Sequence, residues 1–202
     1  MKLEQMTIKE LLDTSHTIAE KLFDGQVYPW EVLPNIGAFI EEIGPILPET
    51  EYKKVGKNIW IHRSAKIAPT IAMGGPMIIC AKAEVRQSAF LRGRVIIGEG
   101  AVIGNSCEIK NSIIFDEAQV PHFNYVGDSI LGYKAHMGAG SITSNVKSDK
   151  TLVTVKFQEE CLETGLKKFG AMLGDDVEVG CNSVLNPGTV VGKGASIYPT
   201  SS

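Results

Sequence analysis

Four histidines, His16, His62, His122 and His136, are the side chains of this sequence that exchange a proton most readily near neutral pH. His122 stands in the string VPHFNYVGD, where the rhythm of the surrounding sequence breaks and the backbone can present a side chain to a groove. Arg92 and Lys110 each directly follow an aliphatic residue, in LRGR and EIKNS, and lie eighteen positions apart. If eighteen residues make one coil, the two cations stack on adjacent coils as a basic pair on one face. A guanidinium fork beside an ammonium point charge suits a phosphate. Cys80, Cys107, Cys161 and Cys181 are widely spaced and form no C-x-x-C pair. They read as small buried residues in a reducing compartment, not as a disulfide or metal framework.

The elements that must position these groups follow a six-residue period. Ile61, Ile67, Met73, Ile79, Val85, Leu91, Ile97, Ile103 and Ile109 recur every sixth position, and small residues (Ala65, Ala83, Ala89, Ala101, Cys107) often stand four places after the aliphatic. That period fits neither an amphipathic helix nor an alternating strand, and it predicts a parallel β-helix built from hexapeptides. The phase slips near residue 110 and resumes through Ile113, Tyr125, Leu131 and Met137, with Gln119 breaking the series. It returns in Leu173, Val179, Leu185, Val191 and Ile197.

Two regions leave the repeat. Residues 1–54 predict a helical N-terminal cap, with a helix over 5–23 (Thr7 as N-cap, Glu10 three residues on) and a second over 35–44 that Pro45 and Pro48 end. Such a cap would cover the apolar end of the first coil. Within the β-helix of 55–202, residues 146–168 predict an excursion, a hairpin turned by the glycine of ECLETGLKKFG. Insertions of this kind often mark a binding face. The net charge of −3, without a basic tract, argues against a nucleic-acid partner. No signal-like core or membrane-length apolar run is present, so the expected location is cytoplasmic.

The stretch 90–145, and within it His-x-x-Tyr-Val-Gly-Asp followed by Gly-Ala-Gly-Ser-Ile-Thr-Ser-Asn, resembles the C-terminal acetyltransferase domain of bifunctional N-acetylglucosamine-1-phosphate uridyltransferases. The likeness covers roughly 55–145 and 170–198; the family's separate nucleotidyltransferase half has no counterpart here. The resemblance implies a left-handed β-helix and a homotrimer with the acyl donor between neighbouring helices. It also implies transfer of an acetyl group from acetyl-CoA to the amine of a sugar phosphate or nucleotide sugar. His122 then matches the catalytic base and Glu108 an acidic residue that orients it or holds the amine. Arg92, Lys110, Tyr125 and Asn145 match substrate positions, as does His136, where the family has asparagine. Gly138, Ala139, Gly140, Cys181 and Pro199 match coenzyme A contacts. Asp128 is expected to be structural, and no metal is expected. Two other classes compete. A zinc hydratase would need three histidines around one ion, and a non-catalytic assembly or regulatory protein could keep the fold and a sugar-phosphate site.

Overall fold

The computed structural model describes residues 3–202, so the first two residues of the expected cap lie outside the described region. From Ile59 onward the chain is a solenoid of short parallel strands on three faces, as the six-residue period predicts. The first sheet holds eight strands, the second seven and the third six. The first opens with an antiparallel pair, Tyr52–Gly56 on Ile59–His62, and every later neighbour in it is parallel. The inward aliphatics Ile79, Val85, Leu91, Ile97, Ile103 and Ile109 form one continuous core with the small residues Ala83, Ala89, Ala101 and Cys107. Many corners take a left-handed residue, for example Lys82, Ser106 and Glu117.

The register corrects the expected phase between 110 and 131. The core residues there are Ile114, Val120, Val126 and Leu131. Ile109 to Ile114 and Val126 to Leu131 are steps of five, so the slip is two single-residue deletions. First-face partners Ile79, Ile97, Ile114 and Leu131 are accordingly 18, 17 and 17 residues apart. Ile113, Gln119 and Tyr125 therefore point outward.

The N-terminal segment differs from the expectation in conformation and in place. The helix expected over 5–23 is a single α-turn, Ile8–Leu11, among 3-10 turns at Thr14–His16 and Glu20–Phe23. Leu12 and Thr17 are extended, Thr7 makes no side-chain cap bond, and the Asp13 carboxylate accepts from the Ser15 N–H at 3.1 Å. Such local side-chain bonds compete with helix propagation. The second helix, Ile36–Ile43, forms as expected and runs into a 3-10 turn, Gly44–Ile46.

This segment lies along the first face of the solenoid, not over its end. Leu11, Phe23, Trp30, Leu33, Ile36 and Ile40 pack on Trp60, Ile78, Ile96, Ile113, Ile130 and Met172, the outward residues of successive first-face strands. Its early part reaches the late coils, where the Asp175 N–H donates to the Leu11 carbonyl at 2.9 Å. Its late part reaches the first coil, where Gly44 lies against the Trp60 ring. The excursion is a hairpin, Thr154–Phe157 paired antiparallel with Glu160–Glu163. Its turn is at Gln158 and Glu159, the former left-handed with φ 53°, and Gly165 follows the hairpin without turning it.

Candidate active site

The corner between the second and third faces holds four of the expected residues in one column. The Gly140 N–H donates to the His122 carbonyl, that of Asn182 to Ala139, and that of Thr200 to Cys181, each at 2.9 Å. His122, Ala139, Cys181 and Pro199 thus occupy successive coils, roughly 4.8 Å apart by strand spacing. The column is tight where glycine stands in it. A Cβ on Gly138 would lie 2.6 Å from the Cys181 nitrogen, so that position needs glycine for the coils to stack.

His122 ends the strand Gln119–His122, and its side chain is exposed. Its imidazole has no hydrogen-bond partner among the described residues, while its backbone is fixed on both sides. The His122 N–H donates to Asn124 Oδ1 at 3.0 Å, and its carbonyl accepts from Gly140. Asn124 is the anchor. It is 2% exposed, and its Nδ2 donates to the Gly138 carbonyl at 2.8 Å and the Ser141 carbonyl at 3.0 Å. Asn124 escaped the sequence analysis. It occupies the small inward slot filled by alanine, cysteine or serine on other coils, and a larger polar residue in that slot was the available signal.

The adjoining third face carries the second group. Glu108 pairs in register with Phe90 and Tyr125, and Ile109 with Leu91. That places Arg92 beside Lys110 on adjacent coils, as the eighteen-residue spacing predicts. The pair is not a free basic patch. Arg92 Nη1 donates to Glu108 Oε1 at 2.7 Å, and Lys110 Nζ to Asp128 Oδ2 at 2.9 Å. Each cation has a carboxylate, so the cluster is charge-balanced. Lys110 is also only 8% exposed.

Asp128 is the hub of this group and structural, as expected. It takes φ 50° at the corner and accepts from Lys110, from Asn111 Nδ2 at 2.9 Å, and from Asn145 Nδ2. Asn145 also donates to the Tyr125 hydroxyl at 3.2 Å. The Tyr125 ring lies over Gly127, where any Cβ would run into its hydroxyl. Burial, then the charges of Asp128 and Glu108, push the Tyr125 phenol above its ordinary pKa, so it stays a neutral donor.

Three expected placements differ. Glu108 is bonded to Arg92 and makes no bond to His122 among the described residues, so it does not orient the imidazole here, and the His122 backbone is held by Asn124 and Gly140. His136 is on the second face, apart from Tyr125 and Asn145, with Nδ1 2.8 Å from Glu178 Oε2. Cys80 and Cys107 are buried as expected, but Cys161 and Cys181 are exposed, and all four are free thiols. Among the described residues no three His, Cys, Asp or Glu side chains are grouped to hold a metal, and no helix is long and apolar enough to cross a membrane.

Comparison with known proteins gives a consistent set of relatives. Residues 73–197 match the family model described as the GMPPB C-terminal domain. The bifunctional protein GlmU of Methanococcus aeolicus is 34% identical over 200 residues, which is 94% of this chain and 47% of that protein. A bifunctional sugar-1-phosphate nucleotidylyltransferase/acetyltransferase of Sulfurisphaera tokodaii is 33% identical over 85% of this chain and 43% of its own length. The chain thus spans about half the length of the curated relatives it matches. Among solved structures, PerB from Caulobacter crescentus in complex with CoA and GDP-perosamine aligns over 66% of this chain and 51% of its own, with TM-score 0.39 and 18% identity.

Proposed function

The chain belongs to the GMPPB C-terminal domain family, and from the geometry of its site and its likeness to sugar-1-phosphate nucleotidylyltransferase/acetyltransferases we propose that it is an acetyl-CoA-dependent N-acyltransferase acting on an amino-sugar phosphate or a nucleotide sugar. One relative at 33% identity over 85% of this chain is named for acetyltransferase activity, which supports this. The observation that carries it is a juxtaposition. The column of His122, Ala139, Cys181 and Pro199 runs beside the third-face group of Arg92, Glu108, Lys110, Tyr125 and Asn145.

An amine that attacks a thioester must lose a proton. His122 has an exposed imidazole on a fixed backbone and suits the general base. As the amine nitrogen bonds to the thioester carbonyl carbon, the imidazole takes its proton. The C–S bond then breaks, and coenzyme A leaves as the thiol with that proton returned. The glycine-rich corner at Gly138, Ala139 and Gly140, together with Cys181 and Pro199, offers the narrow track along which a pantetheine arm could lie. Tyr125, a neutral donor, and Asn145 would hold sugar hydroxyls. Lys110, locked by Asp128, and Arg92, locked by Glu108, would frame the acceptor. His136 with Glu178 serves the acceptor only across a contact between copies.

The chain would act as a homotrimer. The N-terminal segment occupies the outside of the first face, which leaves the second and third faces for contact between copies. Sedimentation equilibrium tests this and should return three times the chain mass of 21.8 kDa.

The functional test is acetyl transfer from acetyl-CoA to a panel of amino-sugar phosphates and nucleotide-linked amino sugars. Wild type should turn over at least one acceptor, and His122→Ala should lose roughly 10²- to 10⁴-fold in kcat. Absence of acetyl-CoA binding at millimolar concentration would overturn the proposal.

A further inference from the structure

A cavity of about 830 Å³ opens where the excursion hairpin meets the late coils and the N-terminal segment. It is not part of the third-face group, yet it adjoins it. Ser144 and Val146, on either side of Asn145 in the chain, both line it. The base of the excursion closes on the same residue, because the Phe169 N–H donates to the Asn145 carbonyl at 3.0 Å. A ligand whose amino sugar lay at Tyr125 and Asn145 would carry its remaining part into this cavity.

The lining says what that part is. Phe157 packs in part on the core beneath the hairpin, and its remaining half-buried surface lines the cavity, where a planar base can stack. Asn186 also lines it, with a side-chain amide that has no hydrogen-bond partner among the described residues, and an amide can read a base edge. Lys147, Asp149 and Lys156 also line the cavity, so its lining carries one net positive charge. Lys147 is 3.5 Å from Asp149, whereas Lys156 makes no ion pair among the described residues. Near Asn145, by contrast, both cations of the third-face group are already matched by carboxylates. An anionic diphosphate is therefore served by the cavity and not by Arg92 and Lys110. The volume lies within the roughly 300–1,000 Å³ of small-molecule pockets.

We propose that this cavity binds the nucleoside diphosphate of a nucleotide-linked amino sugar, with Phe157 against the base and Lys156 against the diphosphate. The assignment rests on the acyltransferase proposal and narrows its acceptor to a nucleotide sugar.

Calorimetric titration of the whole chain with UDP, GDP and dTDP tests it, with inorganic pyrophosphate and acetyl-CoA titrated in parallel. At least one nucleoside diphosphate should bind saturably, about tenfold or more tighter than pyrophosphate. Phe157→Ala and Lys156→Ala should each raise that Kd by about tenfold while leaving acetyl-CoA binding unchanged. Lys156 is exposed, so its variant keeps the hairpin core and reads the site even if Phe157→Ala loosens it. No nucleoside diphosphate binding at millimolar concentration would overturn the assignment. So would Kd values unchanged in Lys156→Ala, or pyrophosphate binding as tightly. Loss of nucleotide binding with acetyl-CoA binding intact refutes this subsite alone; loss of acetyl-CoA binding refutes the acyltransferase proposal itself.

Discussion

The first and third faces of the solenoid share one backbone plan and differ in what their outward side chains meet. On the first face the strands carry adjacent aliphatics: Ile78 and Ile79, Ile96 and Ile97, Ile113 and Ile114, Ile130 and Leu131. One of each pair enters the coil and the other is buried under the N-terminal segment. On the third face the inward residues are again aliphatic, but outward stand Ala72, Phe90, Glu108, Tyr125, Ile142 and Val184, with polar groups in the middle of the column. A strand buried on both sides reads as a continuous apolar run, and one buried on a single side alternates. The difference teaches where chemistry can be placed. The first face gives its whole outward surface to stability, and the third holds polar groups in register on its central coils.

The sharpest way to break this contrast is at its functional edge. His122→Ala should remove roughly 10²- to 10⁴-fold of acetyl transfer, measured as thiol release, with the melting temperature unmoved. The complementary test sits on one coil, at Ile113 and Gln119. Ile113 is 0% exposed, and Ile113→Ala should cost about 2–5 kcal/mol in chemical denaturation. The same truncation at exposed Gln119 should stay within about 0.5 kcal/mol.

A subtler break is Gly127→Ala. The new methyl must displace the Tyr125 ring and its bond with Asn145. The expected result is a kcat/KM for the acceptor about tenfold lower, with the acetyl-CoA Kd unchanged. The smallest effect is chemical. In the native protein Cys161 and Cys181 should react with a thiol reagent while Cys80 and Cys107 do not, and acetyl-CoA should slow Cys181 alone. Burial pushes the Cys80 thiol up to about 12. The folded chain thus keeps that proton above pH 9, where the unfolded chain releases it. Stability should therefore fall as pH rises from about 9 to 12, and a Cys80→Ala variant should lose part of that slope.

Much of this contrast was legible in the sequence, though not all of it was read. The period of six located the solenoid, and the eighteen-residue spacing correctly set Arg92 beside Lys110. What misled was the adjacency of Ile113 and Ile114. With two aliphatics side by side, a one-residue deletion leaves the phase ambiguous, and the inward role fell to the wrong member. The same doubling on every third hexad was the mark of a covered face, which placed the N-terminal segment along the flank instead of over the end. The pairing of Arg92 with Glu108 and of Lys110 with Asp128 was not legible, because sequence spacing locates cations without showing which carboxylates reach them. The 3-10 turns before Asp24 were not legible either, since docking on the first face overrides local propensity there.

The path of the N-terminal segment bears on how the molecule comes apart. A bare solenoid is a one-dimensional stack that can fray coil by coil from either end. Here one strap of chain is fastened at Leu11 and Asp13 to Asp175, 162 residues further on in the case of Asp13, and at Gly44 to Trp60. It spans the coils like a splint. Fraying at one end must then peel the strap from the other, so the stack should melt as one cooperative unit, and the long separations it bridges make it a late event in folding.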